Sequence, residues 1–132
     1  RLRNKENYMP KEDYYEKLFF IGAIWNWVAT LTFIFGYKIL FPLFGMSLPV
    51  YPVFFLMFLL LCFVFGIGYY WVSTDLNKNH GIVKMGIIGK LIVFVGLTWA
   101  GITGQVHFIM IGPGIVDLVF AILFIKFLKT AS

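Results

Sequence analysis

The sequence predicts an all-α protein, a four-helix transmembrane bundle with both termini in the cytoplasm. Of its 132 residues, 61% are hydrophobic and only 13% are charged, whereas a typical soluble domain has about 25% charged residues. Several stretches without charge are also long enough for the roughly 20 apolar residues that a membrane-spanning helix needs. Sixteen Phe, seven Tyr and four Trp residues exclude a disordered chain. These observations together indicate an integral membrane protein.

The four predicted spans follow the apolar stretches in order. They comprise residues 18–37, 52–72, 81–101 and 106–127. Between the first two spans, a charge-free stretch is interrupted by Pro42 and Pro49, and we interpret residues 39–51 as an interfacial or partly re-entrant connector. Residues 102–105 leave room only for a short turn, so the third and fourth spans are predicted to be antiparallel neighbours.

The spans form one predicted domain, residues 18–128, between two short polar ends. Residues 1–17 form a cytoplasmic juxtamembrane segment, and residues 129–132 form a cytoplasmic tail. Within the first segment, residues 9–17 have Pro near the start, acidic residues early and Lys17 last. This order is typical of a helix, which we expect to lie on the lipid headgroups.

The distribution of Lys and Arg predicts the orientation. With four spans, the N-terminal segment, the loop after the second span and the C-terminus lie on one side of the membrane, and they carry nine basic residues: Arg1, Arg3, Lys5, Lys11, Lys17, Lys78, Lys84, Lys126 and Lys129. The opposite side carries Lys38. The positive-inside rule therefore places both termini in the cytoplasm. The same rule explains the net charge of +5 without a nucleic-acid partner.

Three strongly polar side chains fall well inside the predicted spans: Asn26, Lys90 and Asp117. Counted from the cytoplasmic ends of their spans, they lie at similar depths of about 12–15 Å. An unpaired charge at that depth costs at least about 2.5–3.5 kcal/mol, so we expect Lys90 to lie within hydrogen-bonding reach of Asp117. Asn26 could donate to one of them and accept from the other.

This predicted polar cluster has a structural and a functional interpretation. As a buried ion pair, Lys90 and Asp117 would fix the packing register of their helices. Alternatively, they would form a proton relay or a polar pocket for a headgroup or a substrate, because ionisable residues inside a membrane are often functional.

The motif Gly112-Pro113-Gly114 predicts a kink in the fourth span, just outside Asp117. Proline removes a backbone N–H and glycine weakens the helix. Such a kink would adjust packing against the third span, or it would open a ligand site as in transporters with broken helices.

Aromatic residues end the second span. Tyr69, Tyr70 and Trp71 precede a polar turn, and we predict that they are interfacial aromatics at the cytoplasmic surface.

No catalytic, metal or cofactor site is predicted. His80 and His107 lie at opposite ends of the predicted bundle, so they could not share a metal ion. Cys62 is the one cysteine of the chain, and it is predicted to be an apolar filler inside the second span. Neither a haem nor a disulfide is expected from this set of residues.

Short motifs resemble those of a known group of proteins. They are Trp25-Asn26-Trp27, Asn79-His80-Gly81-Ile82-Val83, Gly86-Ile87-Ile88-Gly89-Lys90 and Asp117-Leu118-Val119-Phe120-Ala121. With these motifs, most of residues 18–128 resembles small bacterial four-helix membrane proteins of the DoxX-like class. The resemblance implies a multi-pass protein of the bacterial inner membrane, with Asn26, Lys90 and Asp117 grouped as a family feature. Some DoxX-like proteins are associated with quinone-linked or thiol redox systems, but a single cysteine offers no redox pair.

Three functions are compatible with the sequence. The first is a non-catalytic subunit or scaffold, which would contact the lipid bilayer and other membrane subunits or a second copy of the chain. The second is a carrier that binds a small molecule or a lipid through the polar cluster. The third is a membrane enzyme acting on a quinone, a sterol-like molecule or a lipid, with Asp117 or Lys90 in an acid–base role. The short loops and the lack of predicted cofactor ligands favour the first.

Overall fold

The structure is a computed structural model that describes residues 10–131. Its long helices are α1 (Pro10–Leu43), α2 (Pro52–Thr74), α3 (His80–Ile102) and α4 (Ile111–Ala131), and a 3-10 turn precedes the last of them at Phe108–Met110. The described residues contain no strand, so the prediction of an all-α four-helix bundle is confirmed. Each helix is long and apolar enough to cross a membrane, consistent with an integral membrane protein.

Helix α1 is longer than the predicted first span at both ends. It includes residues 10–17 of the juxtamembrane segment without a break. At its other end it includes residues 39–43, which the sequence had assigned to the connector. Pro42 lies in the last turn. There it removes one hydrogen bond, the one that its own N–H would donate to the preceding turn, and the helix continues through it to Leu43.

A Schellman motif ends α1. The backbone N–H of Met46 donates to the carbonyl of Phe41 at 2.8 Å, and that of Gly45 donates to the carbonyl of Pro42 at 3.0 Å. Gly45 has a φ of 68°, a left-handed conformation that glycine adopts at little cost. The connector is therefore shorter than predicted, at residues 44–51.

The bundle consists of two helical hairpins. Helix α1 packs along α2, and α3 packs along α4, whereas α2 and α3 approach each other much less closely. Aromatic side chains join the hairpins near the α2–α3 loop. Phe124 stacks on Phe19 with ring centroids 4.6 Å apart and meets Tyr69 edge-on at 5.1 Å. These contacts close one end of the space between the hairpins.

The structure corrects the predicted kink at Gly112-Pro113-Gly114. Helix α4 begins at Ile111, so the motif lies in its first turn and does not bend the middle of a longer helix. Pro113 is the third residue of the helix, where a backbone N–H would have no helical partner in any case. The motif therefore marks the start of α4, about one turn before Asp117.

Candidate functional site

The structure brings the three polar residues of the predicted spans into one cluster. The ammonium Nζ of Lys90 on α3 lies 2.8 Å from Oδ1 of Asp117 on α4. The same ammonium donates to Oδ1 of Asn26 on α1 at 3.1 Å. The side chain of Lys90 is 5% exposed and that of Asp117 is 14% exposed. The cluster thus joins the two hairpins through a nearly enclosed ion pair.

Asn26 is held in place by backbone contacts to its own helix and to α2. Its Nδ2 donates to the carbonyl of Cys62 at 2.8 Å, and this contact leaves its amide oxygen to accept from Lys90. Thr30 donates to the backbone carbonyl of Asn26 at 2.7 Å, one turn along α1. All four helices therefore contribute to the position of the ammonium group.

Trp25 is a member of the cluster that the sequence did not predict. Its indole Nε1 donates to Oδ1 of Asp117 at 3.1 Å. Nothing in the sequence around Trp25 points to a residue 92 positions away. Oδ1 of Asp117 consequently accepts hydrogen bonds from both Lys90 and Trp25, which stabilises the ionised carboxylate.

The structure also corrects the role of Tyr69. It is 1% exposed, whereas Tyr70 and Trp71 are 42% and 54% exposed. Successive helical residues point about 100° apart, so Tyr69 can face the interior while the next two residues face outwards. The ring of Tyr69 lies 5.2 Å from Nζ of Lys90, and a ring of Phe120 lies 5.1 Å from the same atom. Tyr69 therefore belongs to the interior site.

A cavity of about 390 Å³ lies between the hairpins, and the cluster forms part of its wall. Most of the other lining side chains are apolar and aromatic, among them Phe33, Phe55, Phe65, Val93 and Leu97. Pockets for small molecules have this composition, with a few polar groups in a mainly apolar wall, and this size lies within their usual range.

The exposed side chains of the cavity wall lie on α2 and α3, which indicates that the mouth of the cavity lies between these two helices. Phe58 and Leu61 on α2 and Ile92 on α3 line the cavity, and they are also 48%, 63% and 66% exposed. These side chains lie midway along helices that can cross a membrane. In a bilayer, the cavity would therefore open sideways to the lipid chains.

Two side-chain oxygen atoms of the cavity wall have no hydrogen-bond partner among residues 10–131. One is Oδ2 of Asp117, since both hydrogen bonds to this carboxylate use Oδ1. The other is the hydroxyl of Tyr69, for which the described residues supply no partner. Each atom keeps free hydrogen-bonding capacity on the cavity wall, so the two can serve a bound molecule.

A second, more polar pocket lies at the opposite end of the bundle from the α2–α3 loop. The α1–α2 and α3–α4 connectors form it, and His107 lines it and accepts from the backbone N–H of Ile109 at 3.0 Å. His80, at the other end, contacts the carbonyl of Leu76 at 2.7 Å. Among residues 10–131, no three His, Cys, Asp or Glu side chains are grouped so that they could hold a metal ion.

No family model matches the chain, and no curated protein or solved structure matches it either. The resemblance to DoxX-like proteins therefore has no support from these comparisons.

Proposed function

We propose that this protein binds a lipophilic small molecule inside the bilayer, in the cavity between its two helical hairpins. The observation that carries the proposal is the cavity itself, about 390 Å³ in volume, whose mainly apolar wall includes the Lys90–Asp117 pair. The apolar wall would hold the body of the ligand. The polar cluster would fix one end of it and provide specificity.

The mouth of the cavity supports entry from the membrane. Its rim is made of the exposed apolar side chains of Phe58, Leu61 and Ile92. A molecule dissolved among the lipid chains could cross this rim without meeting a charged group. The ligand would therefore be taken from the bilayer and not from water.

The cavity supports a ligand-binding function, whereas the sequence favoured the function of a scaffold. A scaffold needs surfaces for partners, whereas an internal cavity reduces the packing that holds a bundle together. The many exposed apolar side chains are what any bundle presents to lipid, so they do not by themselves support a partner subunit.

We also propose that both termini lie in the cytoplasm. The nine basic residues at the two ends and in or next to the α2–α3 loop, against Lys38 on the other side, support this orientation. The bacterial inner membrane, which the resemblance implied, is proposed as the location.

Quenching of Trp25 fluorescence tests the binding proposal. A variant that keeps Trp25 and carries Trp27→Phe, Trp71→Phe and Trp99→Phe would be reconstituted in phosphatidylcholine nanodiscs and titrated with bromohexadecane. Because Trp25 lines the cavity, we expect its quenching to saturate. A matched variant keeping only Trp99, which is 64% exposed, should report the lipid phase and show no saturation.

Filling the cavity provides the decisive control. Gly89 lines the cavity, and a side chain added there meets no atom within 4 Å, so Gly89→Phe should occupy the space and abolish the saturable quenching. Gly96 also has open space around it but does not line the cavity, so Gly96→Phe should leave the quenching unchanged. Quenching that never saturates, or that saturates equally in both variants, would contradict the proposal.

A further inference from the structure

We propose that the ligand is an uncharged lipophile bearing a hydroxyl group, an alcohol or a phenol, and that this hydroxyl binds between Asp117 and Tyr69. The inference rests on the proposed function and specifies the chemistry of its ligand. The hydroxyl would donate to Oδ2 of Asp117 and accept from the hydroxyl of Tyr69.

The charges of the cavity wall favour an uncharged headgroup. Of the described residues that line the cavity, Lys90 and Asp117 are the charged ones, and they neutralise each other at 2.8 Å. A phosphate, carboxylate or ammonium headgroup would therefore bring an uncompensated charge to the depth of the membrane interior, which is costly. Ordinary phospholipids and fatty acids are thus disfavoured.

The unpartnered atoms favour a hydroxyl among uncharged headgroups. Oδ2 of an ionised Asp117 can only accept a hydrogen bond, whereas the hydroxyl of Tyr69 can donate one. An alcohol or a phenol has both a donor and an acceptor, so one group can satisfy both atoms. A ketone or an ester can only accept, and it would leave Oδ2 of Asp117 unpaired. A hydrocarbon satisfies neither atom.

The test compares three probes of equal chain length on the variant that keeps only Trp25. They are a bromohexadecanol, a bromohexadecanone and a bromohexadecane, each carrying its bromine a few carbons from the headgroup end so that the bound probe reaches Trp25, and each is titrated into phosphatidylcholine nanodiscs. Because a hydrogen bond to a charged group is stronger than one between neutral groups, we expect the alcohol to half-saturate the quenching at about ten-fold lower mole fraction than bromohexadecane. The ketone should lie between them.

Two tyrosine-to-phenylalanine variants test the position assigned to the hydroxyl of the ligand. Tyr69→Phe keeps the ring that packs against Phe124 and removes only the hydroxyl. We expect it to reduce the preference for the alcohol over bromohexadecane by about three-fold. The neighbouring Tyr70 is 42% exposed and does not line the cavity, so Tyr70→Phe should leave the preference unchanged.

The outcomes separate this inference from the proposed function. If all three probes saturate the quenching at the same mole fraction, or if the ketone binds as tightly as the alcohol, the hydroxyl assignment is overturned and the cavity still binds lipophiles. An equal loss of preference in both tyrosine variants would also overturn it. If no probe saturates the quenching, both the inference and the proposed function fail.

Discussion

Replacing Lys90 with methionine is expected to destabilise the protein by about 3–5 kcal/mol, the usual cost of removing one partner from a buried ion pair. The carboxylate of Asp117 would then stay inside the bundle with only the indole of Trp25 to stabilise it. Asp117→Leu should have a similar effect, because it leaves the ammonium of Lys90 without a counter-ion. The free energy of unfolding can be measured by titrating the protein with dodecyl sulfate in mixed micelles.

The double variant Lys90→Met/Asp117→Leu should recover most of this loss. Two apolar side chains of similar volume need no counter-ion, and such replacements of buried pairs are often neutral or stabilising. Lys84→Met is the matched control on α3, because Lys84 is exposed and surface changes usually stay within about 0.5 kcal/mol. A double variant as unstable as the single ones would contradict the coupling of the two charges.

The double variant also separates the structural from the functional interpretation of the pair. If the pair only fixes helix register, the variant should bind bromohexadecanol with the same preference over bromohexadecane as the parent protein. If the pair recognises the ligand, the bundle should fold and bind bromohexadecane while the preference for the alcohol is lost. A folded variant without the preference would exclude a purely structural role.

The sequence predicted those features that depend on local composition and on the cost of buried charge. Apolar stretches long enough to cross a membrane correspond to four helices. The similar depths of Asn26, Lys90 and Asp117 followed from counting residues along the predicted spans, and opposite charges at one depth have a strong reason to meet. Both kinds of inference need only positions along the chain.

The sequence does not predict how each helix is rotated about its own axis. Tyr69 faces the interior while Tyr70 and Trp71 face outwards, and Trp25 reaches Asp117 on a helix far along the chain. In helices that are apolar on every side, hydrophobic periodicity does not mark an inner face. The sequence does not predict the cavity either, because the size of the cavity depends on the spacing between the two hairpins.

Helix ends were also placed imperfectly, and proline was the cause in both cases. The predicted first span ends at residue 37, before a connector that contains Pro42, yet α1 continues to Leu43. Pro113 predicts a bend in the fourth span, yet α4 begins only two residues before it. The effect of a proline depends on its position in the helix, since it is tolerated in the first turn and disrupts the middle. Composition alone does not supply that position.

Gly86→Ala is expected to destabilise the bundle by about 1–3 kcal/mol, as overpacking of a filled interior does. A Cβ at this position would lie 2.7 Å from both Cε1 and the hydroxyl oxygen of Tyr69, closer than real side chains approach. The tyrosine ring is held against Phe124 and is 1% exposed, so it has little room to move away. This cost outweighs the gain of about 1 kcal/mol that alanine brings to a helix over glycine.

Gly96→Ala, on the same helix, is the matched control for this substitution. A Cβ there meets no atom within 4 Å, so this variant should be as stable as the parent or slightly more stable. Equal unfolding free energies for Gly86→Ala and Gly96→Ala would contradict the close packing of Tyr69 on α3. Because Tyr69 lines the cavity, Gly86→Ala should also weaken the preference for bromohexadecanol, whereas Gly96→Ala should not. A loss of both stability and preference in Gly86→Ala would show that the ring of Tyr69 takes part in the packing of the two hairpins and in the recognition of the ligand.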